Sequence, residues 1–337
     1  MSDSLLYKLR SGKPPKFIYF AVNMLWMLVP DYIYRINLRR IISQLSSRKD
    51  RVYIQERVDY YNKLSGNIHA LEKVTCAENK FRYFIYKGAI GDYKIKYFHK
   101  AYFFDAKEIT RWFKKSLLWQ YCPGDVYFTP DSPTIVKSRL LIQNNENSVL
   151  MKLDKLRHFM FVDDKIPFTS KKNLAIFRGK IRSSRIRTKF LEMYINHPLC
   201  DCGVVGKEEG VPLEWITPKK TIREHLEYKF VFALEGNDVA SNLKWIMSSN
   251  SIAVMTRPTC ETWFMEGRLI PNYHYIEIKD DFSDLEEKLT YYMEHVDAAE
   301  QIIKNAHEYV MQFRDLKREK LISLLVLEKY FKQTGQM

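Results

Sequence analysis

The sequence predicts an α/β fold, and three stretches carry that prediction. The first is KFVFALEGNDVASNLKWIMSSNSIAVM at 229–255. An apolar run over 230–234, too short for a helix, leads into the polar turn Glu235-Gly236-Asn237-Asp238. Helical spacing of Val239, Leu243, Ile246 and Met247 within 239–248 follows, then a second buried strand over 252–255. Strand, loop, helix and strand make a βαβ unit. The second stretch is NLAIFRGKIRSSRIRTKF at 173–190: a strand over 174–177, a basic glycine-containing loop, and a helix from about Ile186 with Ser183 or Ser184 as N-cap. The third is the alternation of strand-like and helix-like patterns in the first half. At 337 residues the chain exceeds what one core usually serves, so two domains are expected.

Taken in order, 17–29 is an apolar run of 13 residues interrupted by Asn23 and closed by Pro30, short of the ~20 needed to span a bilayer. No small-residue cleavage site follows it. Lys13 and Lys16 precede it and Arg35, Arg39 and Arg40 follow. That pattern suits an interfacial anchor on an anionic membrane surface; a buried first helix is the other reading. Residues 51–64 read as a helix, 81–86 and 97–104 as strands, and 106–118 as a helix with Ile109, Trp112, Phe113 and Leu117 on one side. Residues 144–161 read as a mostly solvated helix face carrying Lys152, Lys155 and Arg157, with His158 a packed or acceptor-binding histidine, and 163–167 as a linker. Later elements are strands near 204–205 and 229–234, a helix within 215–228 that starts near Thr217-Pro218, and two capping-box helix starts, at Ser283 to Glu286 and Asp297 to Glu300. The terminal helices are amphipathic.

A balance of 54 Lys+Arg against 40 Asp+Glu gives +14 and a pI near 9.3, which favours anionic partners. No RNA-recognition, zinc-finger or helix-turn-helix signature is present, so nucleic acid is not the expected partner. Five scattered cysteines (Cys76, Cys122, Cys200, Cys202, Cys260) argue against a disulfide framework and for reduced thiols in a cytosolic setting. Cys200-Asp201-Cys202 lacks a second ligand pair at zinc spacing.

Two loops point to an anion. Each follows a strand and precedes a helix, where free N–H groups and the helix dipole favour a phosphate. Arg178, Arg182, Arg185 and Arg187 in the first loop suit a diphosphate. An ordinary βα connection and a basic surface turn are the plain alternatives. In GDVYFTPDSPTIVKSR (124–139), a short strand over 125–128 runs into Pro130-Asp131-Ser132-Pro133, where two prolines stiffen the backbone around a carboxylate. General-base work needs a carboxylate held in that way. A turn-capping aspartate is the commoner use of the residue.

LEGNDVASNLKW, the SNS of Ser249 to Ser251, and ETWFMEGRLIPNYHYI (261–276) together resemble the signature block of glycosyltransferase family 90, nearest its bacterial lipopolysaccharide-core branch, over about 124–289. The family also includes protein O-glucosyltransferases and capsule xylosyltransferases. The resemblance implies a GT-B-like α/β fold: two Rossmann-like domains facing a cleft, with C-terminal helices bracing them. It divides the chain into a membrane-surface anchor (1–40), an acceptor-side domain (41–165) and a nucleotide-sugar-binding domain (166–337). The family's Asp-x-Pro places a catalytic base at Asp131, although Thr129-Pro130 stands where relatives often have Arg; Asp125 is the fallback. Donor binding is implied for Arg178, Gly179, Ser183 or Ser184, Arg187, Glu235, Gly236, Asn237, Ser241 and Lys244, the last an Arg in many relatives, with Arg185 an alternative to Arg187. Trp263 and Phe264 read as core and Glu261 and Glu266 as surface carboxylates.

The implied reaction is inverting transfer of a hexose from a UDP-sugar to a lipid-linked inner-core acceptor such as heptose, at the cytoplasmic face of the membrane. No metal or other cofactor is expected, in keeping with the lack of any Asp-x-Asp pair. A protein or capsule transferase is the near alternative. A non-catalytic binder of membrane or nucleic acid explains the charge but leaves both loops idle.

Overall fold

A computed structural model describes residues 15–66, 76–80, 83–96, 98–181 and 184–337. In chain order its strands are β1 (Cys76–Lys80), β2 (Tyr83–Ala89), β3 (Leu118–Cys122), β4 (Thr134–Val136), β5 (Ser138–Leu140), β6 (Ser148–Leu150), β7 (Lys172–Gly179), β8 (Cys200–Val205), β9 (Ile216–Thr217), β10 (Tyr228–Phe232), β11 (Ile252–Met255), β12 (Cys260–Thr262) and β13 (Ile276–Glu277). The fold is α/β with parallel pairing. It forms two compact units: an N-terminal unit of Lys16–Leu156, Cys260–Met265 and Phe313–Met337, and a C-terminal unit of Arg157–Thr259 and Glu266–Gln312. The expected boundary at 165 therefore falls inside the C-terminal unit, and the last helix, Leu316–Gln333, belongs to the N-terminal one. Residues 163–167 are no linker: the Asp164 carboxylate accepts from Lys171 Nζ and the Asn250 N–H.

The N-terminal unit carries a mixed sheet in the order β1-β2-β3-β4-β6, antiparallel across β1, β2 and β3 and parallel from β3 to β6. Strand β5 pairs instead with β12, setting Arg139 opposite Glu261. That pair is buried, with Arg139 Nε 2.7 Å from Glu261 Oε1. Glu261 is thus a core carboxylate, not the surface one expected. Trp263 and Phe264 are core, as expected. Arg57 on the helix Arg51–Tyr61 bonds Glu319 of the last helix at 2.5 Å, and Trp263 Nε1 and Lys152 Nζ complete the environment of Glu319. Lys152 and Lys155 are accordingly paired, the latter with Glu108, and only Lys155–His158 is helical between 144 and 161. His158 is buried.

Two expectations fail here. Residues 97–104 do not form a strand; a helix spans Lys100–Thr110, and Tyr97 lies outside the described residues. Tyr102, Phe103, Phe104, Ala106 and Ile109 are all buried, so burial on more than one side of the helix blurs its period. Residues 125–128 join no strand ladder; the prolines around them hold an irregular connection between β3 and β4.

The N-terminal helix Lys16–Met27 meets the helical stretch Asp31–Ser47, whose α-helical part is Asp31–Ser43, at 92°, and among the described residues no single helix is long and apolar enough to cross a membrane. Neither helix contains a buried residue, so 17–29 is no core helix. Tyr19 OH donates to Asp105 Oδ1 at 2.7 Å, tying the first helix to the helix Lys100–Thr110. Burial raises the Asp105 pKa to about 6, against the lowering effects of Lys155 and the Tyr19 bond. Because the folded pKa lies above the unfolded value near 4, proton binding by Asp105 stabilises the fold fully below pH 4. That contribution is lost as pH rises through 6. Denaturation at pH 5 and 7 should show wild type losing about 1 kcal/mol more than Asp105→Asn over this interval; equal losses would contradict the assignment.

The C-terminal unit is built on a six-stranded, all-parallel sheet in the order β13-β11-β10-β7-β8-β9. Numbered within the sheet this is 6-5-4-1-2-3, the doubly wound dinucleotide-fold order, with its reversal between β7 and β10. Strands β10 and β11 are buried along their whole length, which is why they read as unbroken apolar runs. The helix Arg185–Tyr194 covers one face, Phe190 packing on Phe177, Phe232 and Phe282.

Other local expectations are corrected. The helix expected to start near Thr217-Pro218 starts later and is short: a 3-10 turn (Leu213–Trp215) and β9 come first, and the helix Ile222–His225 is opened by a Thr221/Glu224 capping box. The two boxes expected later are absent: His295 precedes the helix Val296–Met311, and Asp284 uses its carboxylate on the Lys279 N–H.

Candidate active site

Adjacent strands β7 and β10 end at the point where the sheet order reverses, and ligands of open α/β sheets bind outside the carboxyl ends of strands at such a point. Both anion-type loops of the sequence leave from there. Ser184 caps the helix Arg185–Tyr194, its Oγ accepting the Arg187 N–H at 3.4 Å and donating to Glu235 O at 3.3 Å. The Arg187 side chain joins the loops: Nε and Nη2 donate to Leu234 O (3.3 and 2.8 Å) and Nη1 to Lys180 O (2.8 Å). Three of the five guanidinium donors are used by described residues, and the other two are open to a ligand so far as those residues go. Burial lowers the Arg187 pKa, opposed by Asp238, Glu208 and Glu235.

Gly236 permits this approach, since a Cβ there would stand 3.0 Å from Arg187 Nη2. Glu235 reaches the segment after β11, accepting the Thr259 N–H (3.1 Å) and Oγ1–H (2.5 Å). Asn237 is exposed at the loop tip and Ser241 is half-buried.

The structure separates other expected donor residues from this group. Phe177 packs on Phe190, so its neighbour Arg178 projects from the opposite face of β7 and is paired with Asp201, which also accepts from Tyr228 OH. Gly179, the last residue of β7, is half-buried. Ser183 and Arg182 lie outside the described residues. Arg185 is exposed. The helix expected over 239–248 is reduced to Leu243–Ile246, because Asn242 turns its amide onto Phe232 O and the preceding residues form turns. The second loop therefore offers no helix N-terminus to an anion. Lys244 is fully buried and ion-paired with Glu266, itself buried and not on the surface as expected.

Sequence reasoning missed the loop after β8. Glu208 Oε2 accepts the Ile181 N–H at 3.0 Å, and Lys180, Thr188, Lys207, Gly210 and Trp215 help line a cavity of about 800 Å³ beside the helix start. The signal was the turn-forming GKEEG that follows β8.

In the N-terminal unit, Asp131 is exposed on a fixed loop and makes no hydrogen bond or ion pair with a described residue. Pro130 O accepts from Asn147 Nδ2, Ser132 Oγ donates to Gln120 Oε1, and Pro133 O accepts from Tyr330 OH. Asp125 instead pairs with the buried Lys137 at 2.6 Å.

The model of glycosyl transferase family 90 matches residues 148–332. The chain is 38% identical over 285 residues to O-glucosyltransferase LpsA of Dichelobacter nodosus, covering 83% of each. The chain belongs to glycosyltransferase family 90. It is also 25% identical over 179 residues to O-glucosyltransferase rumi of Drosophila pseudoobscura pseudoobscura, covering 50% of this chain and 42% of that one. As a member of family 90 it is an enzyme of the hexosyltransferase class, with a sugar donor and an acceptor. The family match encloses the Arg187–Ser184–Glu235 group, whereas Asp131 precedes it.

Proposed function

We propose that this family 90 enzyme has GT-B architecture and transfers a hexose, glucose by the name its relatives share, from a UDP-sugar to a lipopolysaccharide inner-core acceptor such as heptose at the cytoplasmic face of the membrane. The observation that carries the reading is Arg187, held between the β7 and β10 loops at the reversal of the sheet beside a capped helix N-terminus. A diphosphate there meets the unused donors of Arg187 and the helix dipole, which stabilise the charge that develops on the departing UDP. No metal is invoked for that task.

Asp131 serves as general base. As the acceptor oxygen attacks C1 from the face opposite UDP, its proton passes to the Asp131 carboxylate, the C1–O bond to UDP breaks, and the anomeric configuration inverts. Asn237 and Ser241 contact the donor, and Glu235 and Gly236 shape its loop.

UDP release measured across a set of UDP-sugars, with and without a lipopolysaccharide-core acceptor, tests the reading. UDP-glucose should support the fastest acceptor-dependent release. Arg187→Ala should weaken UDP binding by about 10- to 100-fold, the value of a charge-assisted bond, with Arg187→Lys intermediate. Unchanged UDP affinity in Arg187→Ala, or no release from any UDP-sugar, would overturn it.

A further inference from the structure

We infer that the bent helix pair Lys16–Met27 and Asp31–Ser43 is a preformed docking surface for an anionic phospholipid bilayer. Phe17, Met24, Leu25, Trp26 and Leu28 expose more than half of their surface, an apolar patch too concentrated to be scattered surface hydrophobes. Tyr32 and Ile36 continue it onto the second helix.

The patch is held on a rigid mount. Arg111 donates to Trp26 O and Val29 O at the bend, and Asp31 is clamped by Lys107 at 2.7 Å and Arg111 at 3.1 Å. Phe20 packs on Phe104, and Tyr34 meets Trp112 edge-on at 5.0 Å.

Charge selects the occupant. Asp31 is the only acidic residue between 16 and 47, and it is consumed by the clamp. Lys16, Arg35, Arg39 and Arg40 edge the apolar patch and make no ion pair with a described residue. Two cavities of about 320 and 410 Å³ meet at Tyr34, Trp112 and Lys320, whose Nζ lies 4.3 Å from the Trp112 ring centroid. They offer a cationic, aromatic-walled seat for a phosphodiester headgroup next to the inserted side chains. A 12-residue helix extends roughly 18 Å against the ~30 Å of a hydrocarbon core, so the first helix alone does not cross it, and the 92° bend that follows suits a pair lying in the interface.

The inference is independent of donor and acceptor identity. Flotation of the full chain with vesicles of phosphatidylcholine alone, or with about a third phosphatidylglycerol, tests it. Wild type should float with the anionic vesicles, weakly with the neutral ones, and less at high salt. Leu25→Glu/Leu28→Glu should lose at least about 10-fold in partitioning, and Arg39→Glu/Arg40→Glu should lose the preference for phosphatidylglycerol. Both variants should keep wild-type thermal melting and vesicle-free UDP release. Failure of UDP release in every form would count against the proposed reaction while leaving the vesicle result standing. Absence of wild-type flotation, or undiminished flotation of the leucine variant, would overturn the inference. So would a wild-type dimer that the leucine variant dissociates, since the patch would then be covered by a second copy.

Discussion

If Asp131 is the proposed general base, Asp131→Asn should lower kcat by about 10²- to 10⁴-fold and leave UDP affinity within about twofold of wild type. The substitution is nearly isosteric, and Asp131 is exposed without a partner among the described residues, so stability should stay within ~0.5 kcal/mol. The loop that presents it should also survive, because its anchors are Pro130 O, Ser132 and Pro133 O and do not involve the carboxylate. Single-turnover UDP release beside calorimetric UDP binding separates the two effects. Full turnover in the variant would remove Asp131 from the mechanism, and a parallel loss of UDP affinity would make it a donor contact.

Lys244→Met should destabilise the C-terminal unit by about 3–5 kcal/mol, the usual result of breaking a buried ion pair by removing one of its members. Lys244 and Glu266 are both essentially inaccessible and bond each other directly. Adding Glu266→Leu to Lys244→Met should recover most of the loss, because two apolar residues carry no stranded charge. Urea unfolding of the single and double variants reads this out. A single variant with unchanged stability but at least ~10-fold weaker UDP binding would show Lys244 leaving Glu266 to contact the donor.

What could be read in the sequence was what a short window determines. Strands β10 and β11, and the centre of β7 (Ala175, Ile176, Phe177), are buried on both faces and so appear as apolar runs. Ser184 is a capping residue at the start of an amphipathic helix, and the structure uses it so. The convergence of the two loops was less accessible, because it depends on β7 lying beside β10, an adjacency that no local pattern contains. Arg178 shows the same limit: it was read as the first residue of the loop, but β7 runs on to Gly179 and its pleat turns the Arg178 side chain toward Asp201. The burial of Lys244, Glu261 and Glu266 depends on partners elsewhere in the chain, and charged residues are otherwise expected outside. Lys100–Thr110 was misread because burial of three successive aromatics hides its helical period.

The N-terminal unit is assembled from three separated segments, with β12 pairing to β5 and Glu319 reaching Arg57. On the ribosome, its first segment emerges well before the strand and terminal helix that complete it. Until the last helix is released, Arg57 lacks its buried counter-charge and the Arg51–Tyr61 helix lacks its cover. Completion of that unit therefore waits for the segment from Phe313 onward, and a nascent chain stalled before residue 313 would expose the unfinished core to chaperones and proteases.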